Sequence, residues 1–146
     1  MDRAEDDAEP ELLLRLPNAL SAVEDSRLAV ARFLEPFGLS SSALNRVEVV
    51  LEELVSNLVR HGKDVSGLSV AAGVRDGAVD LVVEDDGREF DPFSVPEPEA
   101  FTTLEKAQLG GLGIPLVRRL SDAARYDRVG SGETARNRVS VSISCA

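Results

Sequence analysis

The amino-acid sequence predicts an α+β fold in which a mostly antiparallel sheet carries about three helices on one face. Three observations predict it. Apolar residues alternate with polar or small ones on both sides of Asp76-Gly77, and again near the C-terminus. A long amphipathic pattern fills residues 40–62. The elements run β-α-α-β-β, then an irregular segment, then α-β-β, without internal repeats, an order that favours one sheet with helices packed against it.

Met1 to Pro10 is acidic and is expected to be flexible, with one domain spanning residues 11–146. Glu11-Leu-Leu-Leu-Arg-Leu16 reads as a strand ended by Pro17. A first helix is expected from Asn18 to about Phe37, with Ser21 and Glu24 as a capping box and Val23, Val30, Leu34 and Phe37 on its inner face. Ser40-Ser-Ser42 offers N-caps to a central helix that stops at Gly62 and carries an apolar stripe of Leu44, Val47, Leu51, Leu54 and Leu58. Leu68, Val70, Ala72 and Val74 alternate on one strand, Asp76-Gly77 turns the chain, and Val79, Leu81 and Val83 alternate on the return. From Asp86 to Gly110 the periodicity fails, with Pro92, Pro96 and Pro98 in the way and a helical turn or two open to Phe101–Gln108. Irregular segments of that length are usually functional or disordered. A third helix is expected from Gly111 to Asp122 with Pro115 in its first turn, then a strand from Tyr126, a turn at Gly130-Ser-Gly132, and a last strand through Val139, Val141 and Ile143.

Composition narrows the function classes. The chain has 146 residues, 43% apolar and 29% charged, with a formal net charge of −10. An acidic chain without a dense basic cluster repels nucleic acid and anionic membrane. No apolar run reaches the length of a membrane span, no signal-like segment opens the chain, and the single cysteine, Cys145, cannot form an intrachain disulfide; the expected location is the cytoplasm. An acidic protein can still hold a nucleotide, because backbone amides and a metal ion can meet the phosphates.

Three polar motifs stand out. Glu53, Asn57 and His61 recur every four residues, so they stack along one flank of the central helix beside the apolar stripe. A carboxylate can accept a proton there, and a carboxamide can ligate a hard cation such as Mg²⁺. Asp85-x-Gly87 follows the return strand, where a carboxylate can meet an amino group and a glycine lets backbone or ligand come close. Gly110-Gly-Leu-Gly113 precedes a helix and can aim N–H groups at phosphate. Each motif alone also has a plain structural explanation: a solvated helix flank, a turn after a strand, a tight loop-to-helix junction. His61 reads as a helix-end residue, and Tyr126 and Cys145 as structural ones.

In this order and spacing, Glu53-x-x-x-Asn57, Asp85-x-Gly87 and Gly111-x-Gly113 resemble the N, G1 and G2 boxes of the GHKL ATPase superfamily. The strand-helix-helix opening and Glu-Glu-Leu-Val-Ser-Asn-Leu-Val-Arg-His-Gly62 are most similar to its anti-sigma-factor serine kinase branch, and the resemblance covers roughly Leu12 to Ser144. It implies a Bergerat-type two-layer α/β sandwich with an ATP lid at about residues 86–110. It implies Glu53 as general base, Asn57 as the Mg²⁺ ligand, Asp85 as the partner of the adenine amino group, and Gly87 as a shaper of that pocket. Gly111, Leu112 and Gly113 would wrap the phosphates. The implied partners are an anti-anti-sigma (STAS-type) protein, phosphorylated on serine, and a sigma factor, with Arg27 on the first helix as a partner contact or a solvated charge, and a homodimer as the working form. Three positions depart from the pattern: Glu89 replaces the second G1 glycine, Gly110 an arginine before the G2 glycines, and Asn137 a threonine at the start of the last strand, where it can still hydrogen-bond in the cofactor site. Two other readings share these boxes. One is a protein-binding regulator of the same fold without turnover. The other is a detached ATP-binding domain of a histidine kinase, which would have to act in trans because the chain's only histidine is His61.

Overall fold

A computed structural model describes residues 11–94 and 113–146. Strand β1 (Glu11–Pro17) leads to helix α1 (Ser21–Leu34), a 3₁₀ turn (Glu35–Phe37) and helix α2 (Ser41–His61). The hairpin β2 (Gly67–Arg75) and β3 (Ala78–Asp85) follows, with a 3₁₀ turn at Pro92–Ser94. Helix α3 (Gly113–Leu120) and strands β4 (Ala123–Val129) and β5 (Arg136–Ser144) complete the described elements. The strands form one sheet in the order β1-β2-β3-β5-β4, every pairing antiparallel. The expected α+β class and element order are those observed.

Why the sheet has one wet and one dry face is visible in the alternation. Leu68, Val70 and Ala72 on β2, Val79, Leu81 and Val83 on β3, and Val139, Val141 and Ile143 on β5 are buried, and the residues between them are not. Against this face α2 sets Val47, Val50, Leu51, Leu54 and Val55, while α1 adds Ala22, Val30 and Leu34 and α3 adds Val117. Three of the five stripe residues expected on α2 are fully in the core, and Leu44 and Leu58 pack at its margin. The hairpin turn has φ of 52° at Asp76 and 74° at Gly77, the double positive φ of a type I′ turn, whose twist matches the strands it joins.

Helix ends follow capping chemistry at one site and depart from it at another. The Ser40 hydroxyl accepts the Ala43 N–H at 3.0 Å, an N-cap worth about 1 kcal/mol. The capping box expected of Ser21 and Glu24 does not form. Helix α1 starts at Ser21 rather than Asn18, its N-cap position is Leu20 in helical geometry without a side-chain cap, and Glu24 turns to Arg27 instead. Asn18 lies before the helix and donates its side-chain N–H to the Val65 carbonyl at 3.0 Å. The first helix also tightens into the 3₁₀ turn after Leu34, where Pro36 cannot continue an α ladder. Strand β4 begins at Ala123, three residues before Tyr126. Met1–Pro10, the expected turns at Phe101–Gln108, Gly110, Gly111 and Leu112 lie outside the described residues.

Candidate functional site

The site is built where β3 and β5 end beneath α2. Strand register sets Asp85 opposite Asn137, and Asn137 opposite Arg128, so three polar residues from three strands share one row on the helix-facing side. Asp85 and Asn137 are buried, at 7% and 5% exposure. A buried carboxylate is costly unless hydrogen-bonded. Here Asp85 Oδ1 accepts the Gly87 N–H at 2.8 Å and the Asn137 Nδ2 donor at 3.0 Å. Its other oxygen takes no hydrogen bond from a described residue and is not fully enclosed.

Asp85 lines a cleft of about 480 Å³, its open mouth included. Leu54, Leu58, Val83, Val139 and Pro92 supply apolar walls, and Asn57, Lys63, Asp85, Arg88 and Asn137 supply the polar groups. A flat apolar slot with a few fixed polar groups is the usual build of a small-molecule site. Two loops frame the mouth and hold each other. The Arg88 N–H donates to the Lys63 carbonyl at 2.9 Å, and Asp86 Oδ1 accepts the N–H groups of Ser66 at 2.9 Å and Gly67 at 3.3 Å.

Gly87 is needed for space rather than for an unusual backbone angle. A Cβ there would stand 2.6 Å from the Lys63 carbonyl oxygen, 2.6 Å from Val65 Cγ2 and 2.9 Å from Asp85 Oδ1. The expected sharp turn is therefore a close approach of two loops. Gly113 is the same kind of case at the other end of the site, because a Cβ on it would strike the Glu53 carboxylate. The first turn of α3 thus abuts the expected base. Burial pushes the Glu53 carboxyl above its ordinary value, the Glu52 charge adds to this, and Arg60 opposes it. Asn57 lies one helical turn further on, lines the cleft, and makes no side-chain hydrogen bond to another described residue.

Of the residues expected to act together, Asn57, Asp85 and Asn137 line one cleft, Gly87 underpins Asp85, and Glu53 meets Gly113. Glu89 is exposed and is not part of the cleft wall. Arg27 stands apart on α1, where Glu24 accepts from its Nε at 3.0 Å and Nη2 at 2.5 Å and Glu48 accepts from Nη1 at 3.4 Å. Two residues were not anticipated from the sequence. The Tyr126 hydroxyl donates to Asn137 Oδ1 at 2.6 Å, and Arg128 Nη1 donates to the same oxygen at 3.0 Å and to the Gly87 carbonyl at 2.9 Å. Burial, helped by the nearby Glu89 charge, lifts the Tyr126 phenol above its usual value. Strand alternation from Asn137 is the signal that could have found them, since the β4 partners of Val139 and Asn137 face the same side.

A family model described as histidine kinase-like ATPase domain matches residues 16–142. The chain belongs to that family. This histidine kinase-like ATPase domain is 26% identical over 130 residues to the serine-protein kinase RsbW of Listeria monocytogenes serotype 4a, covering 80% of each chain. It is 26% identical over 116 residues to the anti-sigma F factor of Priestia megaterium, covering 75% of this chain and 78% of that one. Two solved structures share the fold. The RsbU and RsbW domains of Rv1364c from Mycobacterium tuberculosis match with a TM-score of 0.66 at 21% identity, over 92% of this chain and 32% of that one. The SiaB–SiaC complex from Pseudomonas aeruginosa matches with a TM-score of 0.62 at 20% identity, over 90% and 88%. Among the described residues no helix is long and apolar enough to cross a membrane.

Proposed function

We propose that this ATPase-family chain is an ATP-dependent protein serine kinase that works in the cytoplasm as an anti-sigma factor. It phosphorylates a serine of an anti-anti-sigma (STAS-type) protein and sequesters a sigma factor, the two partners competing for it. The observation that carries this reading is the shared cleft. Asn57 and Asp85 line it together, and Glu53 stands one turn from Asn57 against the start of α3.

Each residue has a role that its chemistry fits. The uncommitted Asp85 oxygen accepts the adenine amino group, while Leu54, Leu58 and Val83 face the ring. The Asn57 carboxamide oxygen is the protein's ligand to Mg²⁺. Mg²⁺ usually keeps several waters and is held mainly by substrate phosphates, so a single protein ligand is enough. When bound, Mg²⁺ supplies neutralisation of phosphate charge. Residues 86–110 serve as the lid of a domain spanning 11–146, and backbone N–H groups of Gly111, Leu112 and Gly113 meet the phosphates. Glu53 takes the proton from the attacking serine hydroxyl. Its raised pKa makes it a better base than an exposed glutamate. Positioning and charge neutralisation supply most of the rest.

Partner contacts belong to other surfaces. Arg27 keeps two of its five N–H donors free of Glu24 and Glu48, enough for one acceptor on a partner. The homodimer is supported by the outer sheet face, where Ala71, Gly73, Ser140 and Ser142 leave a flat surface and Leu13 is 62% exposed. The test is incubation with Mg-ATP and a STAS protein encoded in the same genome, read by mass spectrometry. Phosphoserine on the partner with wild type, and none with Glu53→Gln, is the expected outcome. Binding of the partner without any phosphate transfer would refute the kinase reading and leave a regulator that acts by contact alone.

A further inference from the structure

Asn137 lines the cleft, yet its polar atoms are already committed. A carboxamide has two N–H donors and one oxygen with two lone pairs. Its two donors go to Asp85 Oδ1 at 3.0 Å and to the Arg88 carbonyl at 2.7 Å. Its oxygen accepts from the Tyr126 hydroxyl at 2.6 Å, Arg128 Nη1 at 3.0 Å and the Phe90 N–H at 3.2 Å. The amide cannot be turned over. Arg128 and the Phe90 N–H only donate, while the Asp85 carboxylate and the Arg88 carbonyl only accept, so a flipped amide would face donors with donors. No polar atom of Asn137 is left for a ligand.

We infer that Tyr126, Arg128 and Asn137 act as one positioning unit that never touches the nucleotide but sets which purine the cleft accepts. This deepens the nucleotide reading above and rests on it. The unit holds Asp85 Oδ1 from the side and so restrains the carboxylate, whose second oxygen takes no hydrogen bond from a described residue. An ionised carboxylate only accepts, so a ring edge bearing an amino group is bound, while one bearing a carbonyl leaves a buried charge unpaired. Arg128 extends the hold to the Gly87 carbonyl, and Asn137 to Phe90 and Arg88. The whole run from Gly87 to Phe90, at the root of the segment that leads to α3, is thereby tied to β4 and β5.

The experiment is calorimetric titration of the full chain with Mg-ATP and Mg-GTP at about pH 8 and about pH 5.5, with unfolding midpoints measured alongside. Wild type is expected to prefer ATP at both. Tyr126→Phe, which removes one hydroxyl, should weaken ATP about fivefold while GTP stays the same, so the preference narrows. Asn137→Asp is the sharper probe. At about pH 8 two carboxylates would face each other and the Arg88 carbonyl would lose its donor, lowering ATP affinity by about tenfold or more. At about pH 5.5 a shared proton restores a donor to Asp85, and ATP affinity should recover towards the wild-type value at that pH. Equal losses of ATP and GTP that track a lower unfolding midpoint, without recovery on acidification, would mean that the three residues only stabilise the fold. An unchanged ATP-to-GTP ratio in both variants would also overturn the inference. A wild-type chain that bound neither nucleotide would refute the nucleotide reading itself, and this inference with it.

Discussion

Gly87→Ala tests the closest approach in the site. Ordinary contact begins near 3.4 Å, so a Cβ lying 2.6 Å from both the Lys63 carbonyl oxygen and Val65 Cγ2 is short by about 0.8 Å on two sides. Val65 can rotate away, but Lys63 contributes backbone, and its carbonyl already accepts the Arg88 N–H at 2.9 Å. The loop carrying Gly87 must therefore move, and it carries the N–H that holds Asp85 Oδ1 at 2.8 Å. Overpacking of this kind costs about 1–3 kcal/mol. In a chain of this size that lowers the unfolding midpoint by about 4–10 °C. Losing the Gly87 bond to a buried carboxylate should weaken ATP by about tenfold or more, since hydrogen bonds to charged groups are worth about 1.5–3 kcal/mol. Differential scanning fluorimetry with and without ATP reads both effects. A variant with the wild-type midpoint and the wild-type ATP-induced shift would refute the claim that Gly87 is required for room.

Glu53→Gln should reduce phosphotransfer by about 10²–10⁴-fold while ATP affinity stays near wild type, measured by single-turnover transfer and by titration. The wild-type rate should rise with pH through a Glu53 pKa that burial has lifted above its ordinary value. The same lift acts on stability: folding favours the protonated form, so its contribution is present below the ordinary glutamate pKa and is lost as pH rises through the raised one. At neutral pH Glu53→Gln should thus unfold no earlier than wild type. Asn57→Ala should abolish the difference between ATP binding with Mg²⁺ and with EDTA, and a preserved difference would remove Asn57 as the metal ligand. Ser40→Ala deletes the cap on the Ala43 N–H and should cost about 1 kcal/mol in a denaturant melt, with the ATP-to-GTP preference unchanged.

Much of this fold was legible because its signals are local. Alternation located the hairpin, and its Asp76-Gly77 turn has the two positive φ angles that such a pair adopts readily. The three- and four-residue steps located α2 and the flank that holds Glu53 and Asn57. The capping box failed because Ser-x-x-Glu describes only one possible use of those side chains. Leu20 enters the helix already in helical geometry, and Arg27, one turn on, takes the Glu24 carboxylate. Tyr126 and Arg128 were hidden for a different reason. Ala-Ala-Arg-Tyr-Asp-Arg-Val129 has no clean apolar alternation, and periodicity along one strand says nothing of the strand beside it. Only the pairing of β4 with β5 sets Arg128 against Asn137. Asn137 itself was legible as a departure from a family pattern, but its five bonds were not, since their partners come from two stretches of chain, 85–90 and 126–128, that are distant from each other in sequence.

Helix α2 carries two unlike duties on adjoining faces. Val47, Leu51, Leu54 and Val55 are sunk in the core, whereas Glu53 and Asn57 are only half-buried along its edge. Changing an edge residue leaves the apolar stripe alone and, away from buried features, typically shifts stability by no more than about 0.5 kcal/mol. Catalysis can therefore be shed in a single mutational step with the scaffold and its docking surfaces intact. Lineages descended from such a kinase should include silent copies that still compete for the same partners, and screens that score only folding or partner capture will not tell the two apart.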